Sequence, residues 1–412
     1  MLPRRSLGEG APAGSRAPRL AGFALVFAFA EVGEGMMRRL RINIVLGPFF
    51  PVPPVRGLAV ERRQYAMALE YARRGHAVTM LSRRFSGLPR DELENGIHHI
   101  RLPSCDPPPV GWLYRLIDVV YCLFVAWRMP PADVTITNSV AAPILLPLRK
   151  AGRIAVSVGR HPKGQMRFYR RAARFHAASR PVAETIGRQT PEAAARVRVV
   201  PNPISHDFAR AMVAELCSRD CEIVYLGRLS REKGIDLLLK AFEEVAPRFP
   251  DWRLTIIGPS DTAHGGDGPD YLAGLKALAC NGTARIDFEP PIYDGAALVD
   301  RLRRAAVFVY PSVAEKGEAF GLAPLEAMAC GCAVVVSALD CFRDYLVPGE
   351  NGLVFDHRHD GVANLVGCVK TLLADGVLRE SLADAARDTA RHFTPERIAD
   401  QMLADLSELA GR

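Results

Sequence analysis

The sequence is poor in cysteine and contains no cysteine pair at a metal-ligand spacing. Nine cysteines are scattered through 412 residues, and the two closest together, Cys330 and Cys332, stand in an apolar run. An odd number without a paired pattern argues against a disulfide-stapled secreted domain and against a cysteine-ligated metal site. The pattern favours reduced, mostly structural thiols in a cytoplasmic protein.

The sequence also lacks a long apolar run. No segment reaches the roughly 20 apolar residues that a transmembrane helix needs. The run AGFALVFAFA, residues 21–30, resembles the apolar part of a signal peptide and follows a low-complexity start. Met36 and Met37 stand directly before a typical first strand, which favours a later translation start over Met1. Residues 1–37 are therefore predicted to be a disordered leader or a mis-assigned start.

Acidic residues are scarce in the first half of the chain. Residues 38–205 contain 27 Lys and Arg against 10 Asp and Glu, whereas residues 206–412 contain 22 against 32. Two halves of opposite charge indicate two domains with different partners. The basic half is expected to face a phosphate-bearing substrate, an anionic membrane or nucleic acid, unless arginine is simply the common surface cation here. No base-stacking or groove-reading motif accompanies the charge, so we do not expect nucleic-acid binding.

From residue 41 onward, short β-branched runs alternate with segments of helical character. The first series is RINIVLG, AVTMLS, DVTITN and RIAVSVG, with helices predicted at 60–74 and 142–150; the second is EIVYLG, RLTIIG, ARIDFE, AVFVYPS and CAVVVSA. Such alternation is typical of parallel sheets with helices on both faces. Two series predict an α/β protein with two doubly wound, Rossmann-like domains that face each other across a cleft.

The two series meet at VRVVPNPIS, where Pro201 and Pro203 predict a linker. The first domain is therefore predicted to span residues 38–203 and the second 204–390, with a last helix over 391–412. Ligands of such sheets bind outside the carboxyl ends of the strands, so the loops that follow the strands are the places to search.

Two glutamates, Glu318 and Glu326, flank a predicted helix start in GEAFGLAPLEAMACGCAVVVS. The free backbone N–H groups of a helix start favour an anionic or oxygen-rich ligand. A carboxylate accepts two hydrogen bonds at once and suits the vicinal diol of a sugar or ribose. The spacing lets the two side chains contact different parts of one extended ligand, although taken alone it also fits a solvated helix face.

A second candidate is the loop that follows EIVYLG. The strand ends at Gly227, and Arg228 and Lys233 flank a loop that opens a helix. Two cations beside a helix N-terminus suit a diphosphate, and the alternative is a surface loop with solvated cations. HGGDGPD, residues 264–270, lacks the spacing of a nucleotide-binding fingerprint and is predicted to be a flexible connector.

The glutamate pair together with GRLSREKG, IIGP, YPS, VPNPI and ARRGHAVTML resembles the family 4 retaining glycosyltransferases of GT-B fold, over residues 41 to about 400. The resemblance implies a nucleotide-sugar donor in the second domain, a carbohydrate or lipid-linked acceptor in the first, and a last helix that crosses back to the first domain. It implies ribose contacts for Glu326 and transferred-sugar contacts for Glu318 and for the backbone amides of Phe320, Gly321 and Leu322. It also implies that Arg228 and Lys233 neutralise the diphosphate.

Two further positions follow from the resemblance. The family often has a Gly-Gly pair after the first strand, and this chain has Gly57 alone there, which we expect near the donor phosphates. The family's histidine is best matched by His161, which follows a strand end between Arg160 and Lys163. We expect His161 to contact sugar or acceptor, although a lone histidine is often structural.

The apolar segment GWLYRLIDVVYCLFVAWRM, residues 111–129, is predicted to be a helix buried in the first domain, with an interfacial helix as the alternative. The chain contains no Asp-x-Asp sequence, with which many nucleotide-sugar transferases hold a divalent ion, so no metal and no cofactor is expected.

Together these features predict a cytoplasmic glycosyltransferase of the hexosyltransferase type, which could also lie peripherally at the inner face of the membrane. The alternatives are a nucleotide-sugar epimerase of the same fold, and an inactive homologue that serves as an assembly or sensing subunit.

Overall fold

The computed structural model describes residues 38–53, 59–213, 218–280, 282 and 284–411, and both the leader 1–37 and Gly57 lie outside this part of the chain. The strands are β1 Arg41–Val45, β2 Ala77–Arg83, β3 Asp91–Glu94, β4 Ile97–Leu102, β5 Val134–Thr137, β6 Arg153–Val158, β7 Ala172–Ala177, β8 Val197–Val199, β9 Asp220–Leu226, β10 Arg253–Ile257, β11 Arg285–Glu289, β12 Ala305–Tyr310, β13 Ala333–Ser337 and β14 Leu353–Phe355.

The helices connect these strands and close the chain. They are α1 Ala59–Arg73, α2 Gly111–Arg128, α3 Ala142–Leu145, α4 Leu148–Ala151, α5 Arg180–Gln189, α6 His206–Ala211, α7 Ile235–Val245, α8 Pro269–Ala279, α9 Gly295–Arg304, α10 Leu322–Ala329, α11 Gly361–Ala374, α12 Gly376–Ala390 and α13 Pro395–Gly411.

The strands form two separate sheets. The first has the order β3-β4-β2-β1-β5-β6-β7-β8, and the second has the order β11-β10-β9-β12-β13-β14. The β3–β4 pair is antiparallel, and the other strand pairs are parallel. The predicted fold class, an α/β protein with two doubly wound parallel sheets, is confirmed.

Helices cover both faces of the first sheet. On one face the strands pack against α1 and α13, and on the other they pack against α2 and α5. The first core includes Ile44, Met67 and Leu403, and the second includes Val45, Val125 and Ile186. Because α13 follows the helices of the second sheet, the end of the chain returns to the first sheet. The domain boundaries at 203 and 390 stay predictions.

Strand β7 is not among the predicted strands, because it lies in a basic stretch that has no strand pattern. The polar side chains Arg174 and His176 of β7 are buried there. They are compensated by α13, where Asp405 lies 2.9 Å from the Arg174 guanidinium and 2.7 Å from Nε2 of His176. Burial raises the pKa of Asp405, but the hydrogen bond with His176 and the ion pair with Arg174 outweigh burial and lower it. A partner more than two hundred residues away therefore makes this strand possible.

Two predicted helices differ from those observed. The segment 142–150 forms two short helices, α3 and α4, because Pro147 starts the second one and has no N–H with which to continue the first. The prediction of a buried helix at 111–129 is wrong. Its helix, α2, buries Asp118, Tyr121, Cys122 and Val125, whereas a broad apolar face remains open to solvent.

No single helix of the described residues has the length and apolar character of a membrane span. Two consecutive helical segments reach that length and apolar character only when they are taken together: α11, Gly361–Ala374, and α12 with the turn that follows it, Gly376–Phe393. The bend between these two segments is 102°.

Candidate active site

Each sheet has one point at which the strand order reverses. In the first sheet the chain goes from β1 to β2 on one side and later adds β5 on the other side of β1. In the second sheet β9 has β10 on one side and β12 on the other. Loops that leave the carboxyl ends of such neighbouring strands run in opposite directions and open a crevice between them. Most of the predicted site residues lie in the loops after β9 and β12 or at the start of α10, whereas His161 follows β6.

The loops after β9 and β12 bring Lys233 and Glu318 together. Nζ of Lys233 donates to Oε2 of Glu318 at 2.6 Å, and the Tyr310 hydroxyl donates to the same oxygen at 3.1 Å. The two side chains are only 6% and 13% exposed, and the ammonium also lies 5.3 Å from the centre of the Tyr310 ring. A nearly buried cation is therefore fixed at the crevice by a carboxylate and an aromatic face.

A glycine allows this close approach. Gly234, the residue before α7, has a φ of +63°, and a Cβ there would lie 2.3 Å from the carbonyl oxygen of Pro311. The loop after β9 can therefore pack against the end of β12 only with glycine at this position. The backbone N–H of Val313 donates to the carbonyl oxygen of Glu232 at 2.9 Å and joins the two loops directly.

Arg228 is half-exposed at the edge of the same crevice. Its guanidinium donates to the carbonyl oxygen of Gly265 at 2.8 Å and to Oε1 of Glu232 at 2.7 Å. Asp267 accepts a hydrogen bond from the backbone N–H of Arg231 at 2.7 Å. The segment 264–270, predicted to be a flexible connector, is thus hydrogen-bonded to the basic loop and orients Arg228.

The start of α10 presents backbone rather than side chains. The ring of Phe320 is buried against Tyr345 and Phe393, with centroids 5.4 and 6.1 Å away, so Phe320 can offer a ligand its peptide group alone. Gly321 has a φ of +75°, and a Cβ there would lie 2.3 Å from the ring of Phe342. The helix begins at Leu322 with free N–H groups in its first turn.

Glu326 lies on α10 and is partly buried. Within the described part of the chain no group forms a hydrogen bond or an ion pair with its carboxylate. Its surroundings desolvate it enough to raise its pKa to about 7, a shift that Arg62 of α1 opposes. A desolvated carboxylate without a protein partner is typical of a ligand-binding position.

Gly227 and His161 complete the predicted set. Gly227 follows β9, and its N–H donates to the carbonyl oxygen of Ile257 at 3.1 Å. His161 follows β6, and its Nδ1 lies 3.3 Å from the hydroxyl of Thr185. Burial lowers the pKa of His161, and the nearby backbone of Glu318 opposes the shift. His161 thus connects the first sheet to the Glu318 loop.

A cavity of about 410 Å³ opens at the reversal point of the first sheet and reaches His161. It is bordered by residues that follow β1, β5 and β6. Its polar lining includes Glu61, Arg63, Asp118, Asn138, His161 and Asn202. Because His161 also contacts the Glu318 loop, the cavity lies next to the crevice of the second sheet.

Three charged side chains of this cavity are buried. Arg63 donates to the Ser157 hydroxyl and to the Val200 carbonyl, both at 3.2 Å, and burial lowers its pKa to about 10. Burial raises the pKa of Glu61 and of Asp118. None of the three is among the site residues predicted from the sequence. For Asp118 the sequence did contain a local indication of a special role, since it is the one acidic residue of the largely apolar helix α2.

Two family models match this chain. Residues 60–208 match the model of Glycosyltransferase Family 4, and residues 216–389 match that of Glycosyl transferases group 1. The chain belongs to the family 4 glycosyltransferases. The predicted family is thereby confirmed, and the two matched segments contain the first and the second sheet respectively.

Two kinds of curated protein are among the relatives of this chain. The chain is 32% identical over 217 residues to a phosphatidyl-myo-inositol mannosyltransferase of Mycobacterium tuberculosis, and the match covers 52% of this chain and 54% of the relative. It is 33% identical over 183 residues to a D-inositol 3-phosphate glycosyltransferase of Xylanimonas cellulosilytica, covering 44% and 40%. The chain spans about half the length of the curated relatives it matches.

Several solved structures have the same GT-B fold as this chain. A sucrose-phosphate synthase from Thermosynechococcus elongatus superposes with a TM-score of 0.68 at 21% identity, covering 88% of this chain and 97% of that one. The Anabaena protein HepE, in complex with UDP-glucose, superposes with a TM-score of 0.64 at 17% identity, covering 90% and 100%. At these identities the likeness establishes the fold.

Proposed function

We propose that this chain is a retaining glycosyltransferase that moves a sugar from a nucleoside diphosphate to a hydroxyl group of a carbohydrate or lipid-linked acceptor. The observation that carries the proposal is the Lys233–Glu318 pair at the reversal point of the second sheet, with His161 against the same loop. A cation suited to a diphosphate and a carboxylate suited to sugar hydroxyls lie there beside a cavity large enough for an acceptor.

In this proposal the donor lies along the start of α10. Glu326 accepts hydrogen bonds from the ribose hydroxyls, and Glu318 accepts them from the transferred sugar. The N–H groups at Gly321 and Leu322 contact the sugar, and Lys233 and Arg228 contact the diphosphate. The unpartnered carboxylate of Glu326 supports the ribose position, and the UDP-glucose complex of HepE supports a nucleotide sugar as donor.

The chemistry is mainly positioning and charge stabilisation. As the bond between C1 of the sugar and the diphosphate oxygen breaks, negative charge develops on the diphosphate and positive charge on the sugar ring. Lys233 stabilises the negative charge on the diphosphate at a position where solvent screening is weak. The acceptor hydroxyl forms the new C1–O bond from the side that the diphosphate leaves, and its proton passes to the departing oxygen. Configuration at C1 is thereby retained.

The acceptor occupies the cavity of the first sheet. Amide, carboxyl and guanidinium groups in its lining, including Asn138, Glu61 and Arg63, suit a polyhydroxylated or phosphorylated head group. The relatives are named for transfer to phosphatidylinositol and inositol phosphate, which supports an acceptor of this class. The lipid-linked form is favoured by the basic charge of residues 38–205.

The direct test is a thermal-shift panel of nucleoside diphosphate sugars, followed by a transfer assay with the donor that stabilises the protein and a lipid or inositol acceptor. We expect one base to raise the melting temperature in the wild type and a smaller rise in Glu326→Gln. The anomeric proton coupling of the product should match that of the donor. Interconversion of the donor without an acceptor would indicate the epimerase, and binding without any turnover would indicate the inactive homologue.

The pH dependence of donor binding should report Glu326. Ribose hydroxyls donate to the ionised carboxylate, so binding should lower its pKa from about 7 and release a proton. Affinity for the nucleoside diphosphate should therefore fall as the pH drops below about 7. In the Glu326→Gln variant this pH dependence of the affinity should be absent. Calorimetry in buffers of different ionisation enthalpy measures the proton release in both proteins.

The same raised pKa predicts a change in stability without ligand. The folded protein binds the Glu326 proton more readily than the unfolded chain, so ionisation destabilises the fold as the pH rises through 7. Glu326→Gln should therefore raise the melting temperature at pH 8 and leave it nearly unchanged at pH 4. Equal melting temperatures at pH 8 would contradict the assigned environment of this carboxyl.

Transfer should continue in excess chelator. The chain has no Asp-x-Asp sequence, and the positive charge for the diphosphate can come from Lys233 and Arg228 instead. Initial rates with EDTA, with manganese and with magnesium should therefore agree. Loss of activity in EDTA with recovery in manganese would assign the charge stabilisation to a metal and overturn the proposed donor contacts.

A further inference from the structure

One face of α2 is apolar and uncovered in the described part of the chain. We name it the α2 stripe, and its residues are Trp112, Leu116, Val119, Val120, Leu123, Phe124 and Trp127. Their spacing of three and four places them along one side of the helix, opposite the side that packs on the first sheet. Trp112 and Trp127, at its two ends, are 67% and 73% exposed.

The α2 stripe belongs to a larger patch. Of the 17 large hydrophobic side chains that are exposed in the described residues, 13 lie between Val110 and Phe168, so the exposure is concentrated in the part of the chain that contains α2, α3 and α4. The neighbouring helices α3 and α4 add Ile144 and Leu148. Nζ of Lys150 donates to the carbonyl oxygens of Ala126 and Trp127, at 3.1 and 2.8 Å, and holds α4 against the end of α2.

Cations surround this patch. The exposed charged residues of α2 itself are Arg115 and Arg128, which lie on either side of the α2 stripe, while its one acid, Asp118, is buried on the sheet side. Lys150 of α4 and Arg167, beside Phe168, add positive charge. Among the described residues, Arg128 is the one of these four cations that forms an ion pair, with Asp91 at 3.5 Å. An apolar centre with tryptophan at its ends and arginine at its borders suits the headgroup region of an anionic bilayer.

We propose that the α2 stripe docks this protein on an anionic membrane surface and holds the acceptor cavity at the lipid headgroups. Tyr114 and Asp118, on the other side of the same helix, line that cavity. Docking along α2 therefore brings the cavity next to the bilayer, where a lipid-linked acceptor can enter head first. This part of the inference rests on the proposed function, whereas the docking surface rests on the exposed residues themselves.

A second copy of this chain fits the surface less well. A symmetric pair through the α2 stripe would bring the two borders of arginine and lysine against each other, which costs free energy through like-charge repulsion. An anionic bilayer instead meets the apolar centre with its acyl region and the border cations with its phosphates.

The test measures vesicle binding of the full chain by flotation, with phosphatidylcholine vesicles and with vesicles that also contain phosphatidylglycerol. We expect binding to the anionic vesicles that fades as salt rises past physiological strength. The double variant Trp112→Ser/Trp127→Ser should bind roughly tenfold or more weakly, because it loses two large apolar side chains. The matched control is Tyr293→Ser, an exposed aromatic of the second sheet's region, which should bind like the wild type.

Tryptophan fluorescence gives a second, independent readout. The chain has three tryptophans, of which Trp112 and Trp127 lie on the α2 stripe and Trp252 is buried. A Trp252→Phe variant therefore reports the stripe alone. Its emission should shift to shorter wavelength with anionic vesicles and should be quenched by brominated acyl chains. If the protein floats with the vesicles but its tryptophan emission is not quenched, it binds through another surface, and the proposal is overturned.

Two further outcomes separate the inference from its alternatives. Equal flotation with neutral and anionic vesicles, or unchanged binding of the double variant, would overturn membrane docking. Concentration-dependent dimers that the double variant abolishes would assign the stripe to a second copy. The melting temperature of the double variant should equal that of the wild type, since both side chains are exposed. Failure to bind any nucleoside diphosphate, with vesicle binding intact, would overturn the proposed function alone.

Discussion

Replacing Lys233 with alanine should lower turnover on the order of 10²–10³-fold at saturating donor, the range found when one preorganised charge donor is removed from a reacting centre. Nζ of Lys233 is held 2.6 Å from Oε2 of Glu318 in a nearly buried position. If the proposed donor contacts hold, the departing diphosphate meets a cation that needs no reorganisation and is weakly screened. Initial rates of transfer with purified variants measure the effect.

The controls for this variant come from the same part of the chain. Lys240→Ala on α7 removes an exposed lysine whose nearest acid, Asp236, is 4.0 Å away, and should leave turnover unchanged. Lys233→Met keeps the apolar stem and lowers turnover equally if charge is the cause. Arg228→Lys should also reduce turnover, because the planar fork that reaches Gly265 and Glu232 together is lost while its charge remains. Wild-type turnover in folded Lys233 variants would exclude the proposed diphosphate contact.

Substitutions of the two glutamates should have different effects on diphosphate binding and on sugar transfer. Glu326→Ala should weaken binding of the bare nucleoside diphosphate by about 1.5–3 kcal/mol, roughly ten- to a hundredfold, because the hydrogen bonds between ribose and a charged group are lost. Glu318→Gln should leave that binding unchanged or tighter, since Lys233 is then less neutralised, and should cut transfer on the order of 10²-fold through misplacement of the sugar.

Calorimetry with the bare diphosphate and initial rates with the full donor separate these effects. The Gln variant at position 318 is preferred over Ala, because its amide oxygen can still accept from Lys233 and Tyr310. Glu350→Ala, an exposed acid of the same sheet's region, is the matched control. If the position 318 and 326 variants were equally impaired in diphosphate binding, the division into a sugar contact and a ribose contact would be wrong.

The sequence alone was sufficient for the doubly wound fold and for the choice of the loops that carry the candidate site. Short β-branched runs between helical segments predict parallel sheets whatever the packing details, because strands buried on both faces must be apolar throughout. Lys233 and Glu318 lie in the loops that follow two such strands, and ligand sites of these sheets lie at the carboxyl ends of strands. Their position in the fold is thus a local property of the chain.

Contacts between distant segments could not be predicted from the sequence. Lys233 and Glu318 are 85 residues apart, and they meet because β9 and β12 are neighbours at a reversal of strand order, which no local pattern encodes. The contact of His161 with the Glu318 loop likewise depends on how the loops after β6 and β12 face each other. The same limit applies to β7, whose buried Arg174 and His176 become possible only through Asp405.

For α2 the tertiary structure reversed the prediction. The sequence of this helix is apolar nearly all round, so its own periodicity does not say which side is covered or whether both are. Burial is decided by the elements that lie beside a helix. The first sheet covers the side of Tyr121 and Val125, and in the described residues no element covers the side of Trp112 and Trp127. The sequence by itself therefore determined that α2 is an apolar helix, and only the packing around it decided that half of that apolar surface meets solvent.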